Sequence, residues 1–161
     1  MRTTGREESA QRPASPEPIV DLFVYGTLLF PEVLDALLGR VPPHRPATAP
    51  GWRVAALPGR LYPGLVADPD AVAPGSVLGG LDGGECRLLD AYEDVDYRRT
   101  AIALADGTRC SAYVWHADVL SNGWEPQLFA AAHLVGYVQG CRRWLADHLA
   151  RHSVVRGHPD R

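Results

Sequence analysis

The hydrophobic positions of this chain fall into short runs and stripes that predict strands and helices in turn. Leu22-Phe23-Val24-Tyr25 is an unbroken apolar run ended by Gly26, the pattern of a buried strand followed by a sharp turn. Phe30, Val33, Leu34, Leu37 and Leu38 then recur at helical spacing. Pro31 suits the first turn of that helix and Gly39 its end. The Pro-rich stretch 41–50 carries no period and reads as loop. Residues 52–57 and 60–62 read as short strands, Pro63-Gly64 as a turn, 67–75 as a second loop and 76–81 as a strand.

Asp82 and Glu85 have the spacing of a capping box and open a helix that should run to about Tyr92. Residues 97–104 and 109–115 look strand-like, with Asp106-Gly107 as the hairpin turn. From Pro126 a long helix is expected, with Phe129, Ala132, Val135, Val138, Cys141, Leu145 and Leu149 on one stripe. Gly136 and Gly140 weaken it and suggest a kink or a close packing contact. Many short strands with a few helices predict an α+β domain: a small mixed, mostly antiparallel sheet that curls into a barrel. Residues 19–152 form that domain. Residues 1–18 and 153–161 are read as tails, the first polar, Pro-rich and disordered.

Composition narrows the partners. The 161 residues carry 46% apolar and 22% charged side chains, enough for one core. A net charge of -3 gives no footprint for nucleic acid. Arg142, Arg143, Arg151, Arg156 and Arg161 gather near the C-terminus without interleaved aromatics, so a solvated face is the expectation. Three scattered cysteines, Cys86, Cys110 and Cys141, fit core packing in a reducing cytoplasm rather than a disulfide framework. No leader-like apolar segment and no membrane span are expected.

Two segments carry candidate chemistry. A strand that stops at Gly26 exposes successive backbone N–H groups in Tyr25-Gly26-Thr27-Leu28, which suits a carboxylate, although a plain strand-to-helix turn gives the same pattern. Around the end of the second helix, Asp90, Glu93, Asp94 and Asp96 crowd together. The negative helix end and the like charges should raise the pKa of Glu93 and make it a proton shuttle. The bland alternative is a solvated acidic loop paired with Arg98 and Arg99. His148 and His152 stand four apart, but no third ligand accompanies them and no metal is expected. Gly79-Gly80-Leu81-Asp82-Gly83-Gly84 lacks the lysine and the spacing of a phosphate loop.

Taken in order, four motifs resemble the gamma-glutamylcyclotransferase superfamily. They are Tyr25-Gly26-Thr27-Leu28, then Gly59-Arg60-Leu61-Tyr62-Pro63-Gly64, then Leu89-Asp90-Ala91-Tyr92-Glu93, then Tyr97-Arg98-Arg99. The likeness is closest to the plant avirulence-induced-gene-like branch and its bacterial relatives, including gamma-glutamylamine cyclotransferase-like proteins. It covers about residues 20–116, and more loosely the last helix.

The resemblance implies a small β-barrel with flanking helices. It implies that Tyr25, Gly26, Thr27 and Leu28 hold the glutamyl group, that Glu93 is the acid/base, and that Tyr97 shapes the pocket. The implied reaction closes a γ-glutamyl amine or amino acid into 5-oxoproline, with no metal, nucleotide or other cofactor. Raising Glu93 to ~6–7 would recover about 3 kcal/mol of the mismatch with an α-amine of pKa ~8. The leaving group is expected near the segments 41–50, 67–75 and 116–125. Two other readings stay open: a non-catalytic binding module for a small carboxylate or acyl group, and an interaction protein built on the basic terminal helix.

Overall fold

The run at 22–25 is apolar throughout because both faces of its strand are buried. Leu22 and Val24 point to the side covered by helices, and Phe23 and Tyr25 to the inside of a curled sheet. A computed structural model describes residues 19–153, so the predicted tail 1–18 and nearly all of 153–161 lie outside the described residues. Strand β1 spans Val20–Val24, α1 Pro31–Leu38, β2 His44–Ala55 and β3 Gly64–Leu81. Then follow α2 Gly83–Tyr92, β4 Tyr97–Ala103, β5 Arg109–Trp115 and α3 Pro126–Ser153.

The expected α+β architecture is present. Five strands lie in the order β2-β3-β1-β5-β4, antiparallel except where β5 runs parallel to β1 and to β3. β1 is short. It pairs with β3 from Val20↔Leu81 to Val24↔Ser76, and past its end β3 and β5 pair directly at Leu65↔Val114. Closing that gap curls the sheet. A backbone bond from Ala105 N–H to the Thr48 carbonyl (2.9 Å) ties the far edges together. The result is a half-barrel filled by Phe23, Tyr25, Leu65, Val77, Ile102 and Val114. Leu34, Leu37, Leu81, Leu89, Val138 and Cys141 form the second core, between sheet and helices.

Both predicted short helices hold. Pro31 opens α1, Gly39 closes it in the left-handed conformation, and Asp82 and Glu85 form a complete capping box on α2. The β4–β5 hairpin also holds, turning at Gly107.

The β2–β3 region differs. The predicted loops 41–50 and 67–75 are mostly paired strand, with Pro46 opposite Ser76 and Pro50 opposite Val72. β2 is an edge strand, where a residue without an N–H removes no needed ladder bond. Residues 60–62 are not a strand, and the turn falls at Pro58-Gly59 rather than Pro63-Gly64, where β3 begins.

In α3 the buried face is Phe129, Val138 and Cys141, with Leu134, Tyr137 and Trp144 packed beside it. Ala132, Val135 and Leu149, placed on that stripe from the sequence, are exposed. Gly136 makes no close contact, since a Cβ there would meet nothing within 4 Å. No described helix is long and apolar enough to cross a membrane.

Candidate functional site

Three elements end against one another at the open end of β1. The chain leaves β1 through Tyr25 and Gly26 into a single 3-10 turn, Thr27–Leu29. The first N–H groups of such a turn have no intrahelical acceptor. The 56–63 connection of the β2–β3 hairpin packs against it. An added Cβ at Gly26 would lie 2.7 Å from Cγ of Pro63. Glycine is therefore required there by Pro63, before any ligand is considered. The third element is the end of α2, where Glu93 is the C-cap residue and its N–H bonds the Leu89 carbonyl.

Together they enclose a cavity of about 250 Å³. Tyr25, Gly26, Thr27, Leu28, Glu93 and Tyr97 all line it, so the structure brings together every site residue named from the sequence. It adds Tyr62, Pro63, Tyr92, Asp94, Tyr113 and Tyr137. All six tyrosines of the chain thus face one cavity. None of the segments 41–50, 67–75 and 116–125 lines it. Residues 44–50 and 72–75 are instead joined in the β2–β3 ladder.

Glu93 differs in kind from the acids around it. Its pKa is pushed from 4.5 up to about 8, first by burial and then by the charges of Asp94 and Asp90. The neighbouring charges act as expected from the sequence, but the larger cause is removal from water. Among the described residues nothing donates a hydrogen bond to its carboxyl. No fully buried side-chain oxygen there lacks a partner, so this carboxyl keeps access to the cavity.

Asp94, one residue on, is held the opposite way. Tyr62 donates to its Oδ2 at 2.7 Å and Arg60 Nε approaches at 3.3 Å, and these partners keep its pKa below the usual range. Arg60 also lies over the Trp115 ring, 5.0 Å from the centroid. Two adjacent carboxyls are thus held in opposite protonation regimes, an arrangement that can take up and release a proton near neutral pH.

Most of the tyrosine hydroxyls are structural. Tyr25 donates to the Tyr113 carbonyl (2.5 Å), Tyr97 to the Pro63 carbonyl and Tyr113 to Asp90 Oδ1 (2.7 Å). Asp90 in turn meets Arg99 at 3.2 Å. Tyr92, beside Glu93, donates to the Tyr137 hydroxyl at 2.6 Å. Burial raises the pKa of each of these phenols, so they stay neutral donors. The usable sequence signal was compositional: a tyrosine pairs an apolar ring with a polar tip, the type that lines a half-wet pocket. Among the described residues no group of three or more potential ligands could hold a metal ion; His148 stacks on Trp144 with centroids 4.8 Å apart, and the His152 ring lies tilted beside it at 4.1 Å.

Known proteins share the sequence pattern and the fold. The family model "gamma-glutamyl cyclotransferase, AIG2-like" matches residues 22–130. AIG2-like protein C of Arabidopsis thaliana is 39% identical over 100 residues, 59% of this chain and 58% of that protein, so the chain spans little more than half of this relative's length. The solution structure of another Arabidopsis thaliana protein superposes with a TM-score of 0.60 at 26% identity, covering 83% of this chain and 86% of that one. A structure described as a gamma-glutamyl cyclotransferase shares the fold, with a TM-score of 0.53 at 15% identity over 78% of this chain and 87% of its own.

Proposed function

Because this chain belongs to the gamma-glutamyl cyclotransferase, AIG2-like family, we propose that it cyclises a γ-glutamyl amine or γ-glutamyl amino acid to 5-oxoproline, with Glu93 as the acid/base. One observation carries this reading: Glu93, shifted to about 8, lines the same small cavity as the glycine turn 25–28.

The α-carboxylate of the substrate binds at the N–H groups of Gly26, Thr27 and Leu28. The glutamyl chain folds back against the ring of Tyr97. The α-ammonium gives one proton to Glu93, and the freed nitrogen attacks the γ-carbonyl carbon. Glu93 gives its proton to the leaving nitrogen as the C–N bond of the tetrahedral intermediate breaks, and the regenerated carboxylate takes the second proton from the ring nitrogen and passes it to the departing amine, which leaves as an ammonium beside neutral 5-oxoproline. At about 8, Glu93 is matched to an α-amine of pKa ~8, so the first transfer runs close to level. This match is closer than the ~6–7 expected from the sequence. Nucleophile and electrophile share one molecule, and holding them in the attack geometry contributes several kcal/mol. The free thiols of Cys86, Cys110 and Cys141 support a reducing cytoplasm as the place of action, with residues 19–152 acting as one domain.

The test is 5-oxoproline release from a panel of γ-glutamyl compounds by the wild-type protein and Glu93→Gln. Wild type should release it. The variant should bind the same compounds and turn none over, at least 1,000-fold below wild type. Binding without turnover by the wild type would instead make this a binding module for small carboxylates.

A further inference from the structure

Five of the six cavity tyrosines have their single hydroxyl proton engaged by a fixed protein acceptor. Tyr137 is the sixth. Its hydroxyl accepts from Tyr92 at 2.6 Å and lies 3.4 Å from Thr27 Oγ1, where either oxygen could be the donor. Among the described residues neither hydroxyl makes another bond apart from these. Counting protons is decisive here. Tyr137 and Thr27 hold two hydroxyl protons and share one contact, so at least one proton remains for an oxygen in the cavity.

The chain behind Tyr137 strengthens that donor. The Tyr92 proton goes to Tyr137, so the Cys141 thiol, 3.3 Å from the Tyr92 oxygen, is left as the donor to Tyr92. The donors then run in one direction, Cys141 to Tyr92 to Tyr137, and a hydroxyl that accepts a hydrogen bond donates a stronger one. Tyr137 sits on α3, seven residues beyond the end of the family match at residue 130.

We infer that the Tyr137 hydroxyl, paired with Thr27 and oriented by Tyr92, donates the hydrogen bond received by the γ-carbonyl oxygen of the substrate as that oxygen becomes negative. This rests on the cyclotransferase reading given above. The reacting carbon has to lie within reach of Glu93, and Tyr92, which holds Tyr137, is the residue next to Glu93 in the chain. The backbone N–H groups of the turn serve the α-carboxylate, which leaves the carbonyl oxygen as the ligand atom that gains charge beside an unengaged donor. No proton is transferred at Tyr137. The bond only strengthens as charge develops.

The experiment is steady-state release of 5-oxoproline from γ-glutamyl-alanine and γ-glutamyl-benzylamine by wild type, Tyr137→Phe and Tyr92→Phe. Phenylalanine keeps the ring packing of Tyr137 against Phe129, whose centroids lie 5.3 Å apart. Tyr137→Phe should lower kcat about 100-fold with KM within about threefold, because the lost bond matters only in the transition state. Tyr92→Phe acts through Tyr137, so its kcat should fall about five- to tenfold at unchanged KM, with a thermal midpoint lowered by no more than a few degrees. If Tyr137→Phe does not fold, Tyr92→Phe decides. An active wild type with kcat unchanged in the folded variant, or with only KM raised, overturns this inference and leaves the cyclotransferase reading standing. A wild type inactive on every γ-glutamyl compound removes that reading and this one together.

Discussion

The two walls of the cavity are built from similar side chains and behave oppositely. On the sheet side, Tyr25, Tyr97 and Tyr113 each give their hydroxyl proton to a backbone carbonyl or a carboxylate of the protein itself. That wall has donors but none to offer. On the helix side, Glu93 accepts no hydrogen bond among the described residues, and Tyr137 accepts from Tyr92 while it and Thr27 hold one proton more than their contact uses. The comparison teaches that lining a cavity is not the same as acting in it. A group with satisfied partners holds shape, whereas a group buried without them keeps its free energy for a ligand.

Removing the unsatisfied acid should produce the largest change, and it should be visible in stability as well as in rate. Glu93 binds its proton more tightly folded, at about 8, than at its ordinary value of 4.5. Between those values the folded state holds more protons than the unfolded one, so stability falls as pH rises. The favourable contribution is complete below about 4.5 and lost above about 8. Glu93→Gln removes this dependence. Urea unfolding at pH 5 and pH 9 should show the variant near wild type at pH 5 and more stable by about 4 kcal/mol at pH 9. Equal stabilities at pH 9 would mean that the carboxyl is well solvated and the contrast between the walls is false.

The opposite wall should respond in the opposite currency. Tyr113→Phe deletes the bond to Asp90 Oδ1, but Asp90 keeps Arg99. The expected loss is about 1 kcal/mol of stability, with kcat changed less than about threefold. Thermal melts and 5-oxoproline assays on the one variant separate the two effects. A large fall in kcat at unchanged stability would move Tyr113 to the chemical side.

Local signals in the sequence were readable because they act within a few residues. The capping box at Asp82 and Glu85, Pro31 at the start of α1 and the turn at Gly107 are all satisfied by near neighbours. Glu93 and the 25–28 turn were legible for the same reason, each ending an element whose pattern was clear. The β2–β3 ladder was not, since Pro46 and Pro50 signal loop locally and become tolerable only because β2 is the sheet edge, a tertiary fact. Tyr137 was hidden differently. The α3 stripe drawn through Ala132, Val135 and Leu149 leaves it out, yet the packed face runs through Leu134, Tyr137, Val138 and Cys141. A long helix with apolar residues at several phases does not announce which face meets the sheet.

The smallest test concerns how the helix-side wall is tuned. Asp94 keeps its charge because Tyr62 and Arg60 stabilise it, and that charge is the second cause, after burial, of the raised pKa of Glu93. Asp94→Asn can retain an oxygen facing the Tyr62 hydroxyl while removing the charge. With one repulsion gone, Glu93 loses its proton at lower pH, so the acid limb of the kcat/KM profile should move to lower pH. At pH 6 the variant should run about two- to threefold faster relative to its own maximum than wild type does. The maximum itself should drop slightly, because a carboxylate of lower pKa is a weaker base toward the ammonium. An unmoved acid limb would leave the shift of Glu93 to its burial and to Asp90 and make Asp94 part of the rim. A limb moved to higher pH would contradict the electrostatic contrast between the two neighbouring acids.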